Sequence, residues 1–218
     1  MSDSRNIPFR LLHVVASPRG NSKSREIAHA YIAEYTRLAP DTEVTEIDLW
    51  SLSLPEMSGD TLGAKYAVLA RGEQTAAQED AWDEVTRITR DFAAHDNYVF
   101  SVPMWNFGIP YRLKHYIDVV TQPGLTFSWT PQRGYEGLLH GRCALVSYAS
   151  SFDYAQPSPL APLDQQKNYM AGWLALVGIT DHTAIDCGPT SAALPKSQAA
   201  LARALDEARQ LARARAGT

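Results

Sequence analysis

The sequence predicts an α/β fold built on a parallel sheet. Two observations carry this: short apolar runs without period-2 alternation, as in strands covered on both faces, and stretches of helical periodicity between them. A third is their order, strand followed by helix along the chain, which assembles as βαβ units.

The first apolar run, residues 11–16, stops at Ser17-Pro18-Arg19-Gly20. From Ser22 the pattern is helical, with Ile27, Tyr31, Tyr35 and Leu38 on one stripe, until Pro40 ends it. Val44, Ile47 and Leu49 predict a second strand, followed by a connector containing Pro and Gly. Residues 76–95 form a long helix with Trp82, Val85, Ile88 and Phe92 on one face. Residues 97–102 are a buried strand closed by Pro103, and residues 113–120 are helical. A fourth strand over 143–147, a helix over 163–177, a fifth strand over 183–187 and an Ala/Arg-rich helix over 197–214 complete the chain.

Composition narrows the function classes. The 218 residues are 45% hydrophobic and 20% charged, ordinary for a globular protein, and show no repeat, linker or composition shift, so one domain over 1–218 is expected. Lys plus Arg at 20 against Asp plus Glu at 24 gives a net charge of -4 and no overall basic field, so no nucleic-acid partner is expected. Cys143 and Cys187 are too few for a disulfide framework and lie in no C-x-x-C pair, which favours a reducing, cytoplasmic setting with both thiols structural. The polar first ten residues do not resemble a signal peptide and no long apolar run exists, so a soluble, unprocessed chain away from membranes is expected. His13, His29, His95, His115, His140 and His182 show neither H-x-x-x-H nor H-E-x-x-H spacing, and no metal site is expected. The chain also lacks the G-x-S-x-G elbow of a serine hydrolase.

In an open parallel sheet, ligands bind beyond the carboxyl ends of the strands, near the reversal of strand order. Three segments would occupy that edge. Ser17 to Ser24 joins a strand to a helix, where unpaired amides, hydroxyls, Arg19 and Lys23 could cradle a phosphate; alternatively Ser22 or Ser24 is only an N-cap. It spells neither G-x-G-x-x-G nor a Walker-type loop. Pro103-Met104-Trp105-Asn106-Phe107-Gly108-Ile109-Pro110 leaves large aromatic surface in a loop, which suits a flat ligand or packing on the following helix. Ser147-Tyr148-Ala149-Ser150-Ser151 offers small residues after a strand.

Taken together, these segments resemble the FMN-dependent NADH-azoreductases, also described as quinone reductases, among the flavodoxin-like NAD(P)H quinone oxidoreductases. The likeness is carried by the Ser17 loop with Ser22-Lys23-Ser24, the Pro103–Phe107 box leading to Leu113-Lys114-His115-Tyr116-Ile117-Asp118, then Gly124-Leu125-Thr126-Phe127, Tyr135-Glu136-Gly137-Leu138 and Gly178-Ile179-Thr180-Asp181. It implies a flavodoxin-like, five-stranded parallel sheet with helices on both faces, holding one FMN per subunit at a homodimer interface.

By that resemblance Ser17, Ser22, Lys23 and Ser24 line the phosphate end, and Pro103, Met104, Trp105, Asn106 and Phe107 wrap the isoalloxazine, largely through backbone. Ser147, Tyr148, Ala149 and Ser150 approach its pyrimidine edge, where their backbone N–H groups would favour charge on the reduced ring. Phe127 and Trp173 wall the substrate space, partly from the neighbouring subunit. Ala149-Ser150 stands where the family usually has paired glycines, Trp105 where tyrosine is more usual, and Trp173 where phenylalanine is.

The resemblance implies electron transfer from NADH or NADPH through FMN to quinones or azo compounds by alternating turnover, with no side chain assigned as catalytic. A flavodoxin-type carrier serving a protein partner without oxidising NADH is the alternative, and a domain that has lost its flavin is a third. Because loop backbone is expected to do the holding, a bulky residue at Gly108 should weaken FMN retention more than Asn106→Ala.

Overall fold

The computed structural model describes residues 9–57, 59–70, 72–155, 157–191 and 194–217. Five strands form its main sheet: β1 (Arg10–Val15), β2 (Glu43–Asp48), β3 (Asn97–Pro103), β6 (Cys143–Ala149) and β7 (Asp181–Cys187). All their pairings are parallel, in the order β2-β1-β3-β6-β7. Numbered within that sheet alone this is 2-1-3-4-5, the doubly wound flavodoxin-type order, which reverses between β1 and β3.

Apolar residues on both sides of the pleat explain the runs without alternation. Leu11 of β1, Val99 of β3 and Leu145 of β6 face one way, onto Ile27 and Tyr31 of α1 (Lys23–Leu38) and Ala204, Ala208 and Ala212 of α6 (Leu194–Ala216). Their neighbours Leu12, Phe100 and Val146 face the other way, onto α3 (Ala76–Ala93), α4 (Tyr111–Val120) and α5 (Gln165–Val177). Every residue of β1 after Arg10 is buried, whereas β2 is an edge strand with exposed Glu43 and Glu46, charges that discourage pairing with another chain.

A helix and a two-stranded hairpin stand where connectors were expected. α2 (Gly59–Ala70) buries Thr61 and Ala64, and it leans on Trp82 and Val85 of α3 rather than on the sheet, so no broad apolar stripe announces it. β4 (Phe127–Thr130) and β5 (Gly134–Gly137) form an antiparallel hairpin outside the main sheet. The hairpin meets the end of α5, which Gly178 caps in the left-handed region at φ 96°. A Cβ on Gly137 would lie 2.1 Å from the Gly178 nitrogen, so only glycine permits this backbone contact. Among the described residues no helix is long and apolar enough to cross a membrane.

Candidate functional site

At the carboxyl edge, on either side of the strand-order reversal, the loops after β1, β3 and β6 converge with the β7–α6 connection around a cavity of about 400 Å³. That volume lies within the usual range for small-molecule sites. Ser17, Ser22 and Lys23 line it from the first loop, Pro103, Met104 and Trp105 from the second, and Ala149 and Ser150 from the third. Arg19, Asn21, Ser151, Thr190 and Ser191 complete the wall. Among the described residues the lining is rich in donors and contains no carboxylate, which suits an anion.

The first loop ends at Ser22, the N-cap of α1, whose hydroxyl bonds the Ser24 hydroxyl at 3.0 Å instead of capping the helix. The first-turn amides therefore keep their capacity to donate, at the positive end of the helix dipole. Ser17 Oγ accepts the Arg19 amide at 3.3 Å, and the Arg19 side chain has no partner among the described residues. Lys23 is paired in solvent with Glu26 at 2.9 Å. Ser24 is fully buried and contributes no lining.

The second loop is fixed where the Met104 amide donates to the Ala149 carbonyl at 2.8 Å. Beyond it, Asn106 at φ 47° and Phe107 at φ 71° form the centre of a tight turn. Both central residues at positive φ make it a type I′ turn, which ordinarily takes Asn then Gly. Phenylalanine in that second position stores strain on the order of 1–3 kcal/mol. The Gln165 amide at the start of α5 anchors the turn by donating to the Phe107 carbonyl at 3.0 Å. Trp105 and Phe107 remain 38% and 45% exposed, a large apolar surface beside the polar cavity. Asn106 and Phe107 lie beyond the cavity wall itself.

Trp105 also belongs to an aromatic group absent from the sequence-based site. Its ring lies 5.5 Å from Trp50 and 6.2 Å from Tyr111, and Trp50 Nε1 donates to the Ala16 carbonyl at 3.1 Å. Trp50 follows β2, so its position just after a strand's carboxyl end was the available signal.

The strand β6 continues through Ala149, so Ser147 and Tyr148, expected in the third loop, are strand residues with their side chains turned inward. Ser147 Oγ is buried and donates to the carbonyls of Ser24 and Phe100 at 2.8 and 3.0 Å, and Tyr148 packs in the core on the opposite face. Burial pushes the Tyr148 hydroxyl well above its usual range. The Ser150 amide donates to the Cys187 carbonyl at 3.1 Å, so that amide does not face the cavity as a spare donor. Thr190 donates its amide and hydroxyl to the Ser150 carbonyl at 2.9 and 3.0 Å. Thr190 and Ser191 carry no local sequence signal, because the β7–α6 connection reaches the cavity only through its bonds to Ser150 and Ser151.

Phe127 and Trp173 line a different cavity of about 850 Å³, together with Met57, Lys65 and Tyr135, and it shares no lining residue with the first. Trp173 is largely core: 5% exposed, it donates from Nε1 to Thr121 Oγ1 at 2.9 Å. Burial lowers the Lys65 ammonium's pKa there, against the opposing pull of Asp118. Cys143 and Cys187 are free thiols, one half-buried and one buried, and burial pushes both above their usual range.

A family model described as flavodoxin-like fold matches residues 10–212. The chain is 40% identical over 205 residues to an FMN-dependent NADH:quinone oxidoreductase of Desulfotalea psychrophila, covering 94% of this chain and 96% of that protein. It is likewise 40% identical over 206 residues to FMN-dependent NADH:quinone oxidoreductase 3 of Pseudomonas fluorescens, covering 93% and 95%. Its fold matches the crystal structure of an azoreductase from Bacillus anthracis with a TM-score of 0.85 at 25% identity, over 94% of this chain and 98% of that one. The chain belongs to the flavodoxin-like family of FMN-dependent NADH:quinone oxidoreductases and azoreductases, and it is an enzyme.

Proposed function

We propose that the whole chain acts as one flavodoxin-like domain that binds FMN in the carboxyl-edge cavity and passes electrons from NADH, or NADPH, to quinones and azo compounds. The observation that carries this reading is the conjunction of a carboxylate-free donor cavity on an uncapped helix start with exposed aromatic surface at its rim. A phosphate and a flat ring are the two ends of one such ligand.

Ser17, Ser22, Lys23 and the first-turn amide of Ser24 would hold the phosphate, with Arg19 adding charge. Pro103, Met104 and Trp105 would bear on the ring, while Asn106 and Phe107 shape the turn beside it. Ser147 and Tyr148 would act from beneath, fixing the backbone that presents Ala149 and Ser150. When bound, FMN supplies the two-electron chemistry that links donor to acceptor. The chain's part is to stack each reactant in turn over one open face, so alternating, ping-pong turnover follows if donor and acceptor share that face.

Phe127 and Trp173 lie outside the first cavity, so a substrate-wall role for them requires a second copy of the chain. A homodimer is the corresponding proposal, supported by the wide apolar cavity and by the 66% exposure of Tyr135 on the same hairpin. The test is NADH consumption by the FMN-loaded protein with a soluble quinone. Steady oxidation supports this reading, and a flavin-loaded protein inert to NADH and NADPH would mark an electron carrier instead.

A further inference from the structure

His13, His29 and Glu46 are far apart in sequence, yet β1, α1 and β2 bring one ligand atom from each to within 4.8 Å of the others. His13 and Glu46 are direct register partners across the β1–β2 pair. Glu46 Oε2 lies 2.9 Å from His13 Nδ1 and 3.2 Å from His29 Nε2. Around a tetrahedral zinc ion with bonds of about 2.0–2.1 Å, ligand atoms stand roughly 3.3 Å apart, close to both Glu46–histidine separations, and the exposed His29 side chain is the one free to adjust toward His13.

The surroundings are those of a built site. His13 is fully buried, and its Nε2 is held by Ser101 Oγ at 2.6 Å, an outer partner that fixes the ring with Nδ1 turned toward the cluster. The His29 and Glu46 side chains are 52% and 37% exposed, which leaves an entry path and room for water as a fourth ligand. A cavity of about 180 Å³ bordered by Asn21, Ser22, Arg25 and His29 opens beside them. Arg25 engages the other carboxylate oxygen, Oε1, at 2.5 Å, leaving Oε2 as the metal-facing atom while opposing any cation with its charge.

We propose that His13, His29 and Glu46 bind a late first-row divalent transition metal, with Zn²⁺ as its probe. Two imidazoles and one carboxylate favour such ions over Mg²⁺ or Ca²⁺, which prefer all-oxygen sites. Binding would tie β1, α1 and β2 together and brace the helix whose first turn borders the carboxyl-edge cavity. No short motif marks the site, because the three ligands sit on three successive elements.

Isothermal titration of the FMN-loaded full chain with Zn²⁺, alongside His29→Ala, Glu46→Gln and the control His140→Ala, tests this. One saturable equivalent per chain is expected, weakened about tenfold or more in the first two variants and unchanged in the third. Flavin absorbance equal to wild type in each variant verifies that the fold survives. No saturable binding, or wild-type affinity in both His29→Ala and Glu46→Gln, overturns the proposal and leaves the cluster a hydrogen-bonded ion group.

Discussion

The main chains of Trp105 and Gly108 are joined in both directions, each amide donating to the other's carbonyl, at 2.9 and 3.0 Å. The loop after β3 is therefore a closed two-residue turn, and its demands fall on residues 106 and 107. For a single added Cβ, these demands outweigh those at residue 108. A Cβ on Gly108 meets only the Trp105 carbonyl oxygen at 3.9 Å, an ordinary contact, whereas Asn106 sits at φ 47°, where asparagine is favoured over other L residues.

Asn106→Ala should accordingly destabilise the turn by about 1 kcal/mol and weaken FMN binding severalfold, with Gly108→Ala close to wild type. Dissociation constants from flavin fluorescence titration compare the two. Equal losses, or a greater loss at Gly108, would contradict this account of the turn.

If the first loop holds a phosphate, Arg19→Ala should weaken FMN binding by about tenfold, the size of one partly exposed charge-assisted bond. Riboflavin, which lacks the phosphate, should bind wild type and variant alike. The comparison separates the phosphate end from the ring, and raised salt should narrow the FMN difference.

Gly137→Ala should destabilise the protein by about 3 kcal/mol, because its Cβ would collide with the Gly178 backbone and push the hairpin off α5. Thermal unfolding reads the loss. Limited proteolysis near Tyr135 should show the hairpin opening first.

Glu34 accepts from Arg37 Nη2 at 2.9 Å and from Arg213 Nε at 2.6 Å, joining α1 to α6. These bonds, Arg37's foremost, lower its carboxyl from an ordinary 4.5 to about 2. A depressed folded-state pKa contributes stability that is complete above the unfolded value and lost as pH falls from about 4.5 through about 2. Glu34→Gln should thus lower the melting temperature at pH 6 and show a shallower decline across that acid window. Parallel curves for variant and wild type would remove Glu34 from the acid response.

The main sheet was legible because β1, β3 and β6 are buried on both faces and read as uninterrupted apolar runs, with their helices marked by stripes such as Trp82, Val85, Ile88 and Phe92. Elements that avoid the sheet were not: α2 rests on α3, and the β4–β5 hairpin depends on a glycine contact with residue 178, beyond the reach of local pattern. At the site, residue types at strand ends located the three loops. Side-chain direction was not legible, because only packing settles that Ser147 turns toward Ser24 and Tyr148 into the core. Thr190, Ser191 and the His13–His29–Glu46 cluster depend on tertiary convergence of separate segments.

An anaerobic absorption titration of the purified, FMN-reconstituted protein tests the central claim most directly. The account predicts about one tightly held FMN per chain, a flavin band bleached by NADH, and its return on adding a quinone. A protein that takes up no FMN, or one whose flavin band is unchanged by NADH and NADPH, would contradict it.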